Sequence, residues 1–109
     1  MTAAVFERKG VLTVKEIPIP TIKTPEDVLI KIKAVSICGT DVRALTDPPA
    51  FLFTEGIVVG HECNGIVEAI GENVTNVKVG DSVVVHPNNW CEKCYFCRTG
   101  KINLCENFT

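Results

Sequence analysis

The sequence predicts a mainly β domain, a barrel or a sandwich, with a metal-binding loop near its end. Three observations point there. Short runs rich in β-branched residues recur along the chain, and one of them alternates apolar and polar positions at period two. Glycine, proline and aspartate punctuate these runs, and no stretch carries a sustained helical period. Four of the 6 cysteines fall between Cys91 and Cys105.

The elements follow in order. Thr2 to Phe6 and Val11 to Ile17 are β-branched runs separated by Glu7-Arg8-Lys9-Gly10, which predicts a hairpin. Pro18 and Pro20 end the second strand, since proline has no N–H for a ladder. Thr24-Pro25-Glu26-Asp27 is a turn signal. From Val28 to Cys38, residues Val28, Ile30, Ile32 and Ala34 share one face, with Lys31 and Lys33 on the other, as in a half-buried strand. Thr40 or Asp41 is a candidate cap for a helical turn over Val42 to Leu45, broken by Asp47-Pro48-Pro49. Ile57 to Val59 leads into Gly60-His61-Glu62, Ile66 to Ile70 is a strand closed by Gly71, and Gly80-Asp81 turns the chain into a strand over Ser82 to Val85. There are no internal repeats.

At 109 residues the chain has the size of one domain, small enough for a metal staple to matter. Its 46% hydrophobic and 22% charged residues are those of an ordinary globular protein. A net charge of -2, with the charges interspersed, gives no footprint for nucleic acid or an acidic membrane. No apolar run has the length of a membrane-spanning helix, and Met1 to Lys9 lacks the order of a signal peptide. The expected location is the cytoplasm, where thiols stay reduced and clustered cysteines hold metal. Asn73 and Asn107 each fit the glycosylation sequon, by chance in that compartment.

Cys91, Cys94, Cys97 and Cys105 are spaced C-x2-C-x2-C-x7-C. Short x2 spacings let tight turns aim successive sulfurs at one point, and four thiolates around zinc make a closed, structural site. Lys93, Arg98 and Lys101 supply positive charge for thiolates, and Gly100 lets the chain turn back. Disulfides would close very small loops in a reducing compartment. A ferredoxin-type cluster run continues with x3-C-P, whereas here seven residues intervene and Glu106 follows Cys105. A second constellation comprises Cys38, at a strand end, and His61-Glu62 in a glycine-flanked bend; a catalytic zinc takes three protein ligands and leaves one position open. Spacing alone favours the plainer reading of a core cysteine and a hydrogen-bonded histidine.

Gly60-His61-Glu62-x2-Gly65-x5-Gly71-x2-Val74 resembles the zinc signature of the medium-chain alcohol dehydrogenases. Cys38-Gly39-Thr40-Asp41, the Val79-Gly80-Asp81-x-Val83 turn and the four-cysteine run resemble that family in the same order, across essentially the whole chain. The resemblance implies a GroES-like β-barrel over residues 1–109, with residues 88–109 a projecting zinc lobe, as the first part of a two-domain NAD(P)-dependent dehydrogenase. It implies Cys38 and His61 as ligands of a catalytic zinc and Glu62 behind that metal or transiently on it. Asp41 would accept the second ring N–H of the ligating histidine and fix its tautomer. Thr40 would stand beside the oxygen of a small-molecule alcohol substrate and pass on its proton. A homo-oligomer is implied for the full-length enzyme.

Two departures stand out. Many relatives carry a histidine two residues after the aspartate; here it is Arg43, which cannot exchange protons as imidazole does. A third zinc ligand, usually cysteine or an acidic residue, comes from further along the family's chain, and Cys63 is read as core in preference to a substitute. His86 and Trp90 are read as packing residues ahead of a substrate-cleft role. No Gly-x-Gly-x-x-Gly follows a strand, so a Rossmann domain is absent from this sequence and the chain is expected to be inactive alone. The competing expectation is a stand-alone zinc-stabilised barrel that serves as a structural or partner-binding module.

Overall fold

Gly10, at a φ of 71°, turns β1 (Thr2–Arg8) back into β2 (Val11–Glu16), and the two pair antiparallel from Thr2↔Glu16 to Arg8↔Val11. The computed structural model describes residues 1–46 and 54–108. The second edge of β1 is also satisfied: Phe6 N–H donates to Ile57 O at 2.9 Å, and Val59 N–H to Ala4 O at 3.0 Å. Pairing on both edges puts β1 inside the molecule, where Val5 and Phe6 are buried. The expected hairpin is present.

A second sheet has the order β3-β4-β5, with β3 spanning Val28–Ser36, β4 Glu62–Ile70 and β5 Ser82–Val84. Asp27 organises the entry to β3. Its carboxylate accepts the N–H groups of Lys23 and Thr24 at 2.8 and 3.0 Å, and the Thr24 hydroxyl at 2.7 Å. The end of β4 closes against that turn, where Gly71 N–H donates to Asp27 O at 2.8 Å. A Cβ on Gly71 would lie 2.2 Å from Pro25 O, so only glycine fits this approach. The chain is mainly β, as expected, and its described strands lie in two sheets. No described helix is long and apolar enough to cross a membrane.

Two sequence expectations need correction here. The alternating face of β3 is half-buried only at its start, since Ile32 is 50% exposed and Ala34 is exposed. Register shifts between Leu29 and Ile30 and between Ile32 and Ala34 break the strict alternation. The helix α1 spans Gly39–Leu45, and its N-cap is Cys38 rather than Thr40 or Asp41. Asp41 does serve the cap, but from inside the helix: its Oδ2 accepts Cys38 N–H at 2.9 Å. The expected break at Asp47-Pro48-Pro49 lies outside the described residues. After β5 the chain forms a lobe with α2 (Tyr95–Arg98) and a 3-10 turn over Ile102–Leu104.

Candidate metal centres

In the lobe, one ligand atom from each of Cys91, Cys94, Cys97 and Cys105 lies within 4.8 Å of the other three. Cys94 Sγ is 3.5 Å from Cys97 Sγ, and Cys91 Sγ is 3.9 Å from it. Four thiolates at the zinc–sulfur distance stand about 3.8 Å apart in a tetrahedron, so the sulfurs fit zinc as they stand. Backbone N–H groups aim at them: Cys94 N–H donates to Cys91 Sγ at 3.4 Å, and Cys97 N–H to Cys94 Sγ at 3.5 Å. Cys105 Sγ accepts from Cys91 and Asn107, each at 3.3 Å. The turn that delivers these donors puts Glu92 at a φ of 60°, an uncommon conformation for a residue with a Cβ.

These donors hold the Cys91 thiol down at about 6, with the Cys94 and Lys93 N–H groups the largest causes. The charged side chains of Lys93, Arg98 and Lys101 lie on the exposed surface. Cys97 goes the other way, pushed up to about 12 by burial and then by the Cys94 thiol beside it. Four adjacent sulfurs cannot all ionise unaided; a divalent cation between them removes the conflict.

The second cluster joins the end of β3 to the start of β4. Cys38, His61 and Glu62 each bring one ligand atom within 4.8 Å of the others. Cys38 and His61 are half-buried and Glu62 is exposed. Behind them sits Asp41, 6% exposed, with Oδ1 3.3 Å from His61 Nδ1. That oxygen is buried without a hydrogen-bond partner, and a proton on His61 Nδ1 would supply one while leaving the Nε2 lone pair for a metal. Thr40 Oγ1 is 3.4 Å from Cys38 Sγ. The donor set is three ligands of sulfur, nitrogen and oxygen, which suits zinc and leaves a fourth position. Arg43 is exposed on α1.

Three residues fall elsewhere. Cys63 is half-buried rather than core, and with Val35, Val84 and the cluster's own Glu62 it lines a cleft of about 380 Å3. His86 and Trp90 meet edge to face with ring centroids 5.2 Å apart, and His86 Nδ1 accepts Asn88 N–H at 3.2 Å. Sequence reasoning missed Ser36, whose hydroxyl donates to Glu62 Oε2 at 2.6 Å. With the Cys38 thiol as the lesser cause, that bond holds the Glu62 carboxyl below its usual range.

Residues 24–109 match the family model described as the alcohol dehydrogenase GroES-like domain. The chain is 43% identical over 105 residues to a probable D-xylulose reductase A of Emericella nidulans, covering 93% of this chain and 29% of the relative. It is 46% identical over 83 residues to a sorbitol dehydrogenase of Arabidopsis thaliana, covering 74% of this chain and 23% of the relative. Among solved structures, the alcohol dehydrogenase TADH from Thermus sp. ATN1 superposes with a TM-score of 0.86 at 37% identity, covering 99% of this chain and 31% of that one. The chain thus spans less than a third of the length of these relatives.

Proposed function

The chain belongs to the zinc-dependent medium-chain alcohol dehydrogenase family, as its GroES-like domain, and from that premise we propose that it is the zinc-binding catalytic portion of an NAD(P)-dependent dehydrogenase acting on a small alcohol or polyol. The observation that carries the reading is the convergence of Cys38, His61 and Glu62 in front of the buried Asp41. The names of the D-xylulose reductase and the sorbitol dehydrogenase support a polyol.

Zinc at this centre would act as a Lewis acid that lowers the pKa of a bound hydroxyl, as it lowers that of water to about 7. The chain's own residues do the rest. Asp41 keeps the His61 proton on Nδ1, so that Nε2 stays a ligand. Thr40, beside Cys38 Sγ, takes the proton that the substrate hydroxyl gives up and hands it to solvent. A nicotinamide would supply the hydride acceptor, and no Gly-x-Gly-x-x-Gly in this sequence would hold it, so this chain alone is expected to bind metal without turning substrate over. Cys91, Cys94, Cys97 and Cys105 hold the lobe together and leave no ligand position for a substrate.

Metal counting tests the reading. Two zinc ions per chain are expected in the wild type, and Cys38→Ala is expected to retain one. One zinc in both proteins would instead favour a zinc-stabilised structural module.

A further inference from the structure

Ser36 and Glu62 are the last paired residues of β3 and β4, directly across from each other. The shift in register between Ile32 and Ala34 creates that pairing. Had the alignment of Lys31 with Ile66 continued, Ser36 would face His61 and Glu62 would lack its cross-strand donor. The result is a hydroxyl 2.6 Å from one carboxylate oxygen, at a point where the carboxylate also approaches Cys38 and His61.

We propose that Ser36 is a positioning residue of this centre: it ties Oε2 of Glu62 and so presents Oε1 as the third ligand of a metal carried by Cys38 and His61. A free glutamate on an exposed strand end samples several rotamers, and freezing them costs part of the binding energy. The serine hydroxyl makes that selection before the metal arrives. A carboxylate ligand held by an outer hydrogen bond is a recurrent arrangement, and losing such a partner commonly costs 10- to 100-fold in affinity. The exposure of both residues sets the expected effect at the lower end, about tenfold.

The inference rests on the function proposed above, and the experiment separates the two. Zinc affinity at the second centre is measured by competition with a chromogenic chelator, and its coordination by the visible spectrum of the cobalt-substituted protein. Ser36→Ala is expected to bind zinc about tenfold more weakly there and to change the cobalt spectrum, while the lobe keeps its zinc and reports that the protein is folded. Ser36→Thr, which keeps the hydroxyl, is expected to restore both. In a Glu62→Gln background Ser36→Ala is expected to add nothing. Unchanged or tighter zinc binding in Ser36→Ala overturns the inference, as does an equal loss in the Glu62→Gln background. A wild type without a second site overturns the functional reading and this inference together.

Discussion

Asp41 turns its two oxygens to two different nitrogen atoms. Oδ2 accepts Cys38 N–H at 2.9 Å and starts α1, while Oδ1 faces His61 Nδ1 at 3.3 Å. Helix capping and ligand orientation are therefore one interaction seen from two sides, and Cys38 and His61 are tied to the same buried carboxylate. An amide has one acceptor and cannot replace it. In Asp41→Asn either the cap is lost or an NH2 group meets Nδ1, and the latter drives the imidazole proton to Nε2, where it blocks the metal. We expect zinc affinity at the second centre to fall by about 10- to 100-fold, with a smaller loss of thermal stability from the cap. Zinc titration together with the nitrogen chemical shifts of His61 checks this; a histidine still protonated on Nδ1 with full zinc affinity would sink it.

At the scale of elements, some boundaries were legible and others depended on long-range register. The β1–β2 hairpin follows from two β-branched runs around Gly10, and its bounds agree with the structure to within two residues. The extent of β3 was legible too, but its burial was not, because burial depends on what lies against the sheet. The start of α1 was missed because cysteine is not among the usual N-cap residues, while the residue that caps it, Asp41, is. The Ser36–Glu62 bond joins positions 26 apart and follows from a register shift that no local pattern announces. The turn into β3 was legible from Thr24-Pro25-Glu26-Asp27, and it yields a pH prediction. Backbone N–H from Lys23, then the Thr24 hydroxyl and N–H, lower the Asp27 pKa from its usual 3.8. A depressed carboxyl stabilises the fold above its unfolded pKa, and the contribution is lost as pH falls through the folded value. Asp27→Ala should therefore lower the melting temperature at pH 7, and the gap to wild type should close as pH falls below 3.8. Melting curves across that range decide it, and a gap that persists unchanged into acid would mean that the turn is held by something other than the carboxylate.

Across the whole molecule the apolar core is small, and the described residues bury only Val5, Phe6, Ala44, Val67 and Cys105 among the hydrophobics. Binding of a structural zinc is worth on the order of 10 kcal/mol, comparable with the roughly 5–15 kcal/mol that stabilises a whole domain. The lobe depends on that term most. Its helix α2 has 4 residues and its 3-10 turn 3, far below the roughly 12–15 that an isolated helix needs in water. These two elements pack on each other, whereas β1 pairs with β2 and β3 with β4 through extended ladders of their own. Chelation should therefore melt the molecule unevenly. Amides bonded inside the lobe, such as Arg98 N–H to Cys94 O and Lys101 N–H to Phe96 O, should lose their protection from hydrogen exchange once zinc is removed. Amides of the β3–β4 ladder should keep most of theirs. Hydrogen exchange read by mass spectrometry before and after a strong chelator makes the comparison, and a lobe that stays protected without metal would show that its side chains, rather than zinc, hold it together.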